Sequence, residues 1–159
     1  MTESYNDLYA TIKQTIDNGK LSVNQKLQQI CEVLDRDIEA FDWTGFYLVD
    51  PNSPNELVLG PFVGEPTDHT RIPFGTGICG QAAESKDTFI VQDVNEATNY
   101  LACSIHVQAE IVVPIMDGDR VLGEIDIDSH SRNSITEEHR HLLEQVADDL
   151  APLLGQDPG

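Results

Sequence analysis

Apolar positions at the start of the chain recur at three- and four-residue steps. Tyr5, Leu8, Tyr9, Ile12 and Ile16 make one stripe, which predicts a helix ending before Gly19. Leu27, Ile30, Cys31, Leu34 and Ile38 trace a second stripe, opened by Ser22 and Gln25 at capping-box spacing. From Phe41 the period shortens toward two. WTGFYLVD and ELVLGPFVG flank the turn formers of 51–55 and predict a hairpin. RIPFGTGICGQAAES reads as a glycine-rich loop running into a short helix from near Gly80, and DTFIVQDV as a further strand. NEATNYLACSIHVQ has no clear period and is placed as a long loop or broken helix over the sheet. AEIVVPIMDGDRVLGEIDIDSHS is the clearest element, two β-branched runs around Asp117-Gly118. In its second run Val121, Gly123, Ile125 and Ile127 fall on one face, and Glu124, Asp126 and Asp128 on the other. Ser134 and Glu137 resemble a capping box for a last helix, whose stripe is Leu142, Leu143, Val146, Ala147, Leu150 and Leu153.

This order predicts an α+β fold in one domain over 1–159: helices over 1–40, sheet and pocket loops over 41–130, and a closing helix over 134–154. Helices pack on one face of a mostly antiparallel sheet, and loops cover a ligand on the other. With 40% hydrophobic residues in 159, the chain can bury a core.

Charge narrows the partners. Asp plus Glu number 28 against 9 Lys plus Arg, a net charge of −19, which repels phosphate backbones and anionic lipid headgroups. Nucleic acid and membrane surfaces are therefore excluded as expected partners. No apolar run approaches the ~18 residues of a membrane span, and MTESYNDLY lacks a signal-peptide pattern. A cytoplasmic location is expected. Three cysteines are too few for a disulfide framework, and the odd count points to free thiols or redox chemistry.

Cys31 lies on a helical stripe and reads as packing. Cys79, in Gly-Ile-Cys-Gly where a helix begins, is either a thiol activated by the helix amides, below the free value of about 8.5, or a buried turn thiol. Cys103 sits in the aperiodic segment, where loop residues more often serve function than packing. The spacing of the two is no metal knuckle, so no zinc site is expected, although two loops over one sheet could bring them within disulfide reach. Glu124, Asp126 and Asp128 are either a solvated face or, on a central strand covered on both sides, acids that need a ligand, a cation or a proton. With a three-residue hairpin loop, Glu110 lies opposite Asp126 on that face; a two-residue loop turns it away. Pro114 hints at an edge or a bulge, so both registers stay open. His139 and His141 point in different directions from one helix. Trp43, Phe46 and Tyr47 read as core, with one ring available to wall a small ligand.

The motifs Trp43-Thr-Gly-Phe-Tyr-Leu, Gly60-Pro-Phe-Val-Gly, Gly75-Thr-Gly-Ile-Cys-Gly, Leu101-Ala-Cys, Glu110-Ile-Val-Val-Pro-Ile and Gly123-Glu-Ile-Asp-Ile-Asp-Ser occur in the order seen in free methionine-(R)-sulfoxide reductases. The chain resembles this family of stand-alone GAF domains over residues 42 to 130. The resemblance implies that Cys103 attacks the sulfoxide sulfur and becomes a sulfenic acid. It implies that Cys79 resolves this as a disulfide, which thioredoxin, an external donor, reduces. It further implies that Glu110, Asp126 and Asp128 hold free methionine-(R)-sulfoxide and assist protonation of its oxygen, and that Trp43 walls the methyl group. No bound cofactor or metal is implied, and GAF domains often form homodimers through N-terminal helices, here the stripe around Leu8 and Ile12.

Two departures stand out. His69 occupies the position, two before Arg71, where many members carry a third cysteine, which leaves Cys79 with Cys103 as the family-like disulfide. Glu124 is an acid where an aliphatic residue is frequent. A non-catalytic binding or redox-sensing GAF domain is the rival reading, disfavoured because sensors usually adjoin an output domain. A nucleotide-binding module is disfavoured because three acids in one pocket repel phosphates.

Overall fold

The computed structural model describes residues 3–96 and 107–155. The elements are α1 (Glu3–Ile16), α2 (Val23–Asp37), β1 (Trp43–Asp50), β2 (Ser53–Val63), β3 (Arg71–Pro73), α3 (Gly77–Ser85), β4 (Phe89–Val91), β5 (Ala109–Asp117), β6 (Arg120–Ser129) and α4 (Glu137–Gly155). Six strands pair antiparallel in the order β3-β2-β1-β6-β5-β4. β6 is thus interior, as its composition implied, and the α+β expectation holds.

One face of the sheet is covered by α1, α2 and α4. Ile12, Leu27, Ile30, Leu34, Leu142 and Leu150 meet Phe46, Ile111, Ile125 and Ile127 in a continuous core. Each fully buried aliphatic side chain there contributes about 1.5–3 kcal/mol of transfer free energy. Leu8, at 6% exposure, and Ile12, at 0%, belong to this core. These two residues of the stripe therefore pack inside the chain itself.

The α2 capping box forms as read: Gln25 N–H donates to Ser22 Oγ at 3.1 Å, and Ser22 N–H to Gln25 Oε1 at 2.8 Å. The cap expected at Ser134 and Glu137 does not. Instead Thr136 Oγ1 accepts from His139 N–H at 3.1 Å, and His139 Nδ1 accepts from Thr136 N–H at 3.0 Å. A neutral imidazole supplies the acceptor that Glu or Gln gives in the usual motif. Ser134 Oγ turns away and donates to Ser131 O.

The other face carries α3, which starts at Gly77 rather than near Gly80. A second core packs beneath it, formed by Trp43, Tyr47, Leu57, Ile78, Ala82 and Val112. Val121 joins this core too, away from Ile125 and Ile127. The β5–β6 turn has two residues, Gly118 and Asp119, between the pair Asp117 and Arg120. Met116 pairs with Val121, yet Ile115 pairs with Gly123, so Leu122 is an extra residue that reverses side-chain parity at that point. The bulge that Pro114 hinted at is real and sits one to two residues along the strand. β4 pairs β5 only through Val112, so Pro114 lies past the end of that ladder. Of the aperiodic segment 95–108, residues 97–106 lie outside the described residues, and Asn95 and Glu96 belong to a 3-10 turn at Val94–Glu96.

Candidate active site

The bulge fixes which acids share a face. A two-residue turn alone would set Glu110 opposite Ile127 and turn it into the helix-covered core; the extra residue restores parity and pairs Glu110 with Asp128. Glu110 therefore does reach the acid face, opposite Asp128 and not Asp126, which pairs with Val112. On the other side of β6, Glu124, Asp126 and Asp128 pair with Tyr47, Gly45 and Trp43 of β1. All four acids are buried, at 3% exposure or less. The solvated-face reading is thereby removed.

Burial dominates their chemistry. It pushes the Glu124 carboxyl well above the ordinary carboxylate range, and the Asp126 charge adds to this. Burial also raises Asp126, with the nearby Glu110 carboxyl and Cys79 thiol partly offsetting it. Among the described residues, no oxygen of Glu124 or Asp126 accepts a hydrogen bond of ordinary geometry. Such groups favour the neutral, protonated form.

Cys79 occupies the third position of α3, with its Sγ 4.0 Å from Glu110 Oε2. Of the two readings of this thiol, activation by the helix amides and burial, the structure favours burial. Burial first, then Asp126, Glu110, Glu124 and Asp128, push it well above the free value. A helix terminus contributes about 0.3–1 kcal/mol, less than one pKa unit at about 1.36 kcal/mol each, so desolvation beside four acids outweighs it. Cys31 has Pro61 O at 3.6 Å and is buried in the helix-covered core, on the opposite face of the sheet, where burial raises its thiol as well.

Trp43 borders the acids and is held from several sides. Its Nε1–H donates to Glu65 O at 2.9 Å, and its ring stacks on Phe62 at 5.4 Å. Gly45 makes room for it, since a Cβ there would stand 2.5 Å from Trp43 Cη2 and 2.8 Å from Phe62 Cβ. Tyr47 Oη donates to His69 O at 2.7 Å, tying the loop before β3 to the sheet. Tyr47, His69, Thr76, Cys79, Glu110 and Asp126 line a cavity of about 10 Å³, and no Lys or Arg lines it among the described residues. Cys103 lies outside the described residues. Sequence reasoning offered Tyr47 only as core or as a ligand wall and His69 only as the occupant of the third-cysteine position; the Tyr47 hydroxyl that ties the two together was not anticipated.

Residues 20–154 match the GAF domain family. A protein of Escherichia coli named free methionine-R-sulfoxide reductase is 31% identical over 153 residues, 96% of this chain and 90% of that protein. The solved free methionine-R-sulfoxide reductase of Neisseria meningitidis, in complex with its substrate, superposes with a TM-score of 0.89 at 33% identity, over 98% of this chain and 92% of that one. This chain belongs to the free methionine-R-sulfoxide reductase family of GAF domains. The reductase of the same name from Saccharomyces cerevisiae is 41% identical over 107 residues, 67% of this chain and 59% of that protein, so the chain spans less than two thirds of that relative's length. The family's GAF sheet explains how acids from β5 and β6, a thiol from α3 and an indole from β1 come to one side of the sheet.

Proposed function

We propose that the chain reduces free methionine-R-sulfoxide to methionine, as the names of its relatives suggest. One observation carries the reading: four buried acids and the Cys79 thiol share the face of the sheet that holds the cavity, with no Lys or Arg lining it among the described residues. Such a pocket complements an ammonium group and rejects phosphate. Glu110, Asp126 and Asp128 pair the substrate ammonium, and Trp43 walls the methyl group.

Cys103 attacks the sulfoxide sulfur while a carboxyl held protonated by burial delivers a proton to the oxygen. The oxygen then passes to the Cys103 sulfur as the substrate S–O bond and the transient sulfur–sulfur bond both break, the Cys103 thiol proton returns to the carboxylate, methionine leaves, and Cys103 remains as a sulfenic acid. Cys79 then attacks that sulfenic sulfur, water leaves with the oxygen, and a Cys79–Cys103 disulfide remains. The sulfoxide gains two electrons and the two thiols lose them. With His69 in place of a third cysteine, Cys79 is the resolving thiol. Thioredoxin restores both thiols by exchange, in a cytoplasm that keeps them reduced. No bound cofactor takes part.

The test is single-turnover release. Reduced protein mixed with free methionine-R-sulfoxide and no reductant should yield one methionine per chain. Sulfoxide binding without methionine release would replace the reductase with a sensing or binding module.

A further inference from the structure

Three ligand-type atoms converge on the cavity from separate elements. Cys79 comes from α3, Glu110 from β5 and Asp126 from β6, and one ligand atom of each lies within 4.8 Å of the other two. All three line the cavity of about 10 Å³, roughly the room of one water-sized particle. Asp126 is 1% exposed, and the groups its carboxyl meets are the Glu110 carboxyl and the Cys79 thiol, with no cation and no hydrogen bond of ordinary geometry among the described residues. A buried carboxyl so placed must hold a proton or meet a cation.

We propose that Cys79, Glu110 and Asp126 form a site for one thiophilic divalent cation of the zinc class, which fills the pocket in competition with an amino-acid substrate. The donor set is one sulfur and two carboxylates. Magnesium and calcium take oxygen donors, whereas the thiolate selects zinc or cadmium. Bonds of about 2.3 Å to sulfur and about 2.0–2.2 Å to oxygen draw the three donors inward from their present spacing. Binding forms a sulfur–metal bond and releases the Cys79 thiol proton to solvent, together with any proton held by Asp126; no oxidation state changes. The metal-bound sulfur is withheld from disulfide formation. The ion therefore blocks the pocket and shields the thiol together. Only the competition with substrate rests on the reductase reading; the uptake of the ion does not.

The fully reduced chain is titrated with Cd²⁺ alone, reading thiolate–cadmium charge-transfer absorption, and with Zn²⁺ alone by equilibrium dialysis. One ion per chain is expected, with the absorption band kept in Cys31→Ser. Cys79→Ser should lose the band and more than roughly a hundredfold in affinity, since outer-shell changes alone cost about 10–100-fold. Asp126→Asn, its fold checked by circular dichroism, should weaken uptake similarly. No stoichiometric uptake, uptake unchanged in Cys79→Ser, or a band lost in Cys103→Ser but kept in Cys79→Ser would overturn the site. Because uptake is read without substrate, a chain that reduces the sulfoxide and takes up no ion defeats this proposal alone, and a chain inactive on the sulfoxide leaves it standing.

Discussion

Cys79 Sγ sits 4.0 Å from Glu110 Oε2, a thiol facing a carboxyl where a helix start would by itself have favoured a thiolate. Burial, with Asp126 and Glu110 beside it, makes Cys79 a reserve thiol, protonated until a base takes its proton. Alkylation of the reduced protein by iodoacetamide should accordingly leave Cys79 less than half modified at pH 8.5 under conditions that complete a free thiol, read by mass spectrometry. Its raised folded-state value also favours the folded state below the unfolded value of about 8.5, and that contribution fades as pH rises through the folded-state value. Rapid modification at neutral pH would show an activated thiolate instead.

Glu124 is fully buried, and its carboxyl is raised by that burial. Its folded-state value lies above the unfolded one of about 4.3, so the stability it contributes is present at low pH and is lost as pH rises through the folded-state value. Glu124→Leu removes the titration. The variant should gain on the order of 1–3 kcal/mol over wild type at pH 7, the cost of an unsatisfied buried polar group, with a smaller gain at pH 4. Urea unfolding at the two pH values measures this, and a variant less stable at pH 7 than at pH 4 relative to wild type would contradict it.

Gly45 is the gap that seats the Trp43 indole beside Asp126. Gly45→Ala sets a Cβ against Trp43 and Phe62 at under 3 Å, which should cost about 1–3 kcal/mol as overpacking. The displaced ring should also weaken sulfoxide binding, raising KM more than it lowers kcat. Calorimetry and steady-state kinetics read the two effects separately.

The α4 cap depends on a neutral His139. Burial lowers its imidazole, so the folded state is favoured above the unfolded value of about 6.5 and loses that contribution as pH falls below it. His139→Gln keeps an acceptor at the third helical position and should flatten the acid limb of the stability profile, while Thr136→Ala should cost about 1 kcal/mol at all pH values. Thermal melts between pH 5 and 8 compare the three proteins.

The helical stripes, both hairpins and the inward parity of Asp126 and Asp128 were legible because burial imposes its period directly on neighbouring residues. The position of Glu110 was not. It depends on one extra residue at Leu122, whose insertion combines with a two-residue turn to give the parity of a three-residue one, and no local pattern distinguishes these. The Thr136 cap escaped because a histidine stands where the capping pattern calls for Glu or Gln. The direction of the Cys79 shift escaped for a tertiary reason: the helix start is local, whereas the acids that oppose it arrive from strands 31 or more positions away. The stripe of Leu8 and Ile12 was read correctly as apolar, but periodicity does not say whether a face meets its own chain or another.

Two thiols acting together are central to the proposed reduction, and counting them tests it most directly. Reduced protein is mixed with free methionine-R-sulfoxide, without a reductant, and its thiols are titrated under denaturing conditions. Two thiols should disappear per chain, with a Cys79–Cys103 linked peptide in the digest, and Cys103→Ser should lose none. An unchanged thiol count in the wild-type chain would contradict the account.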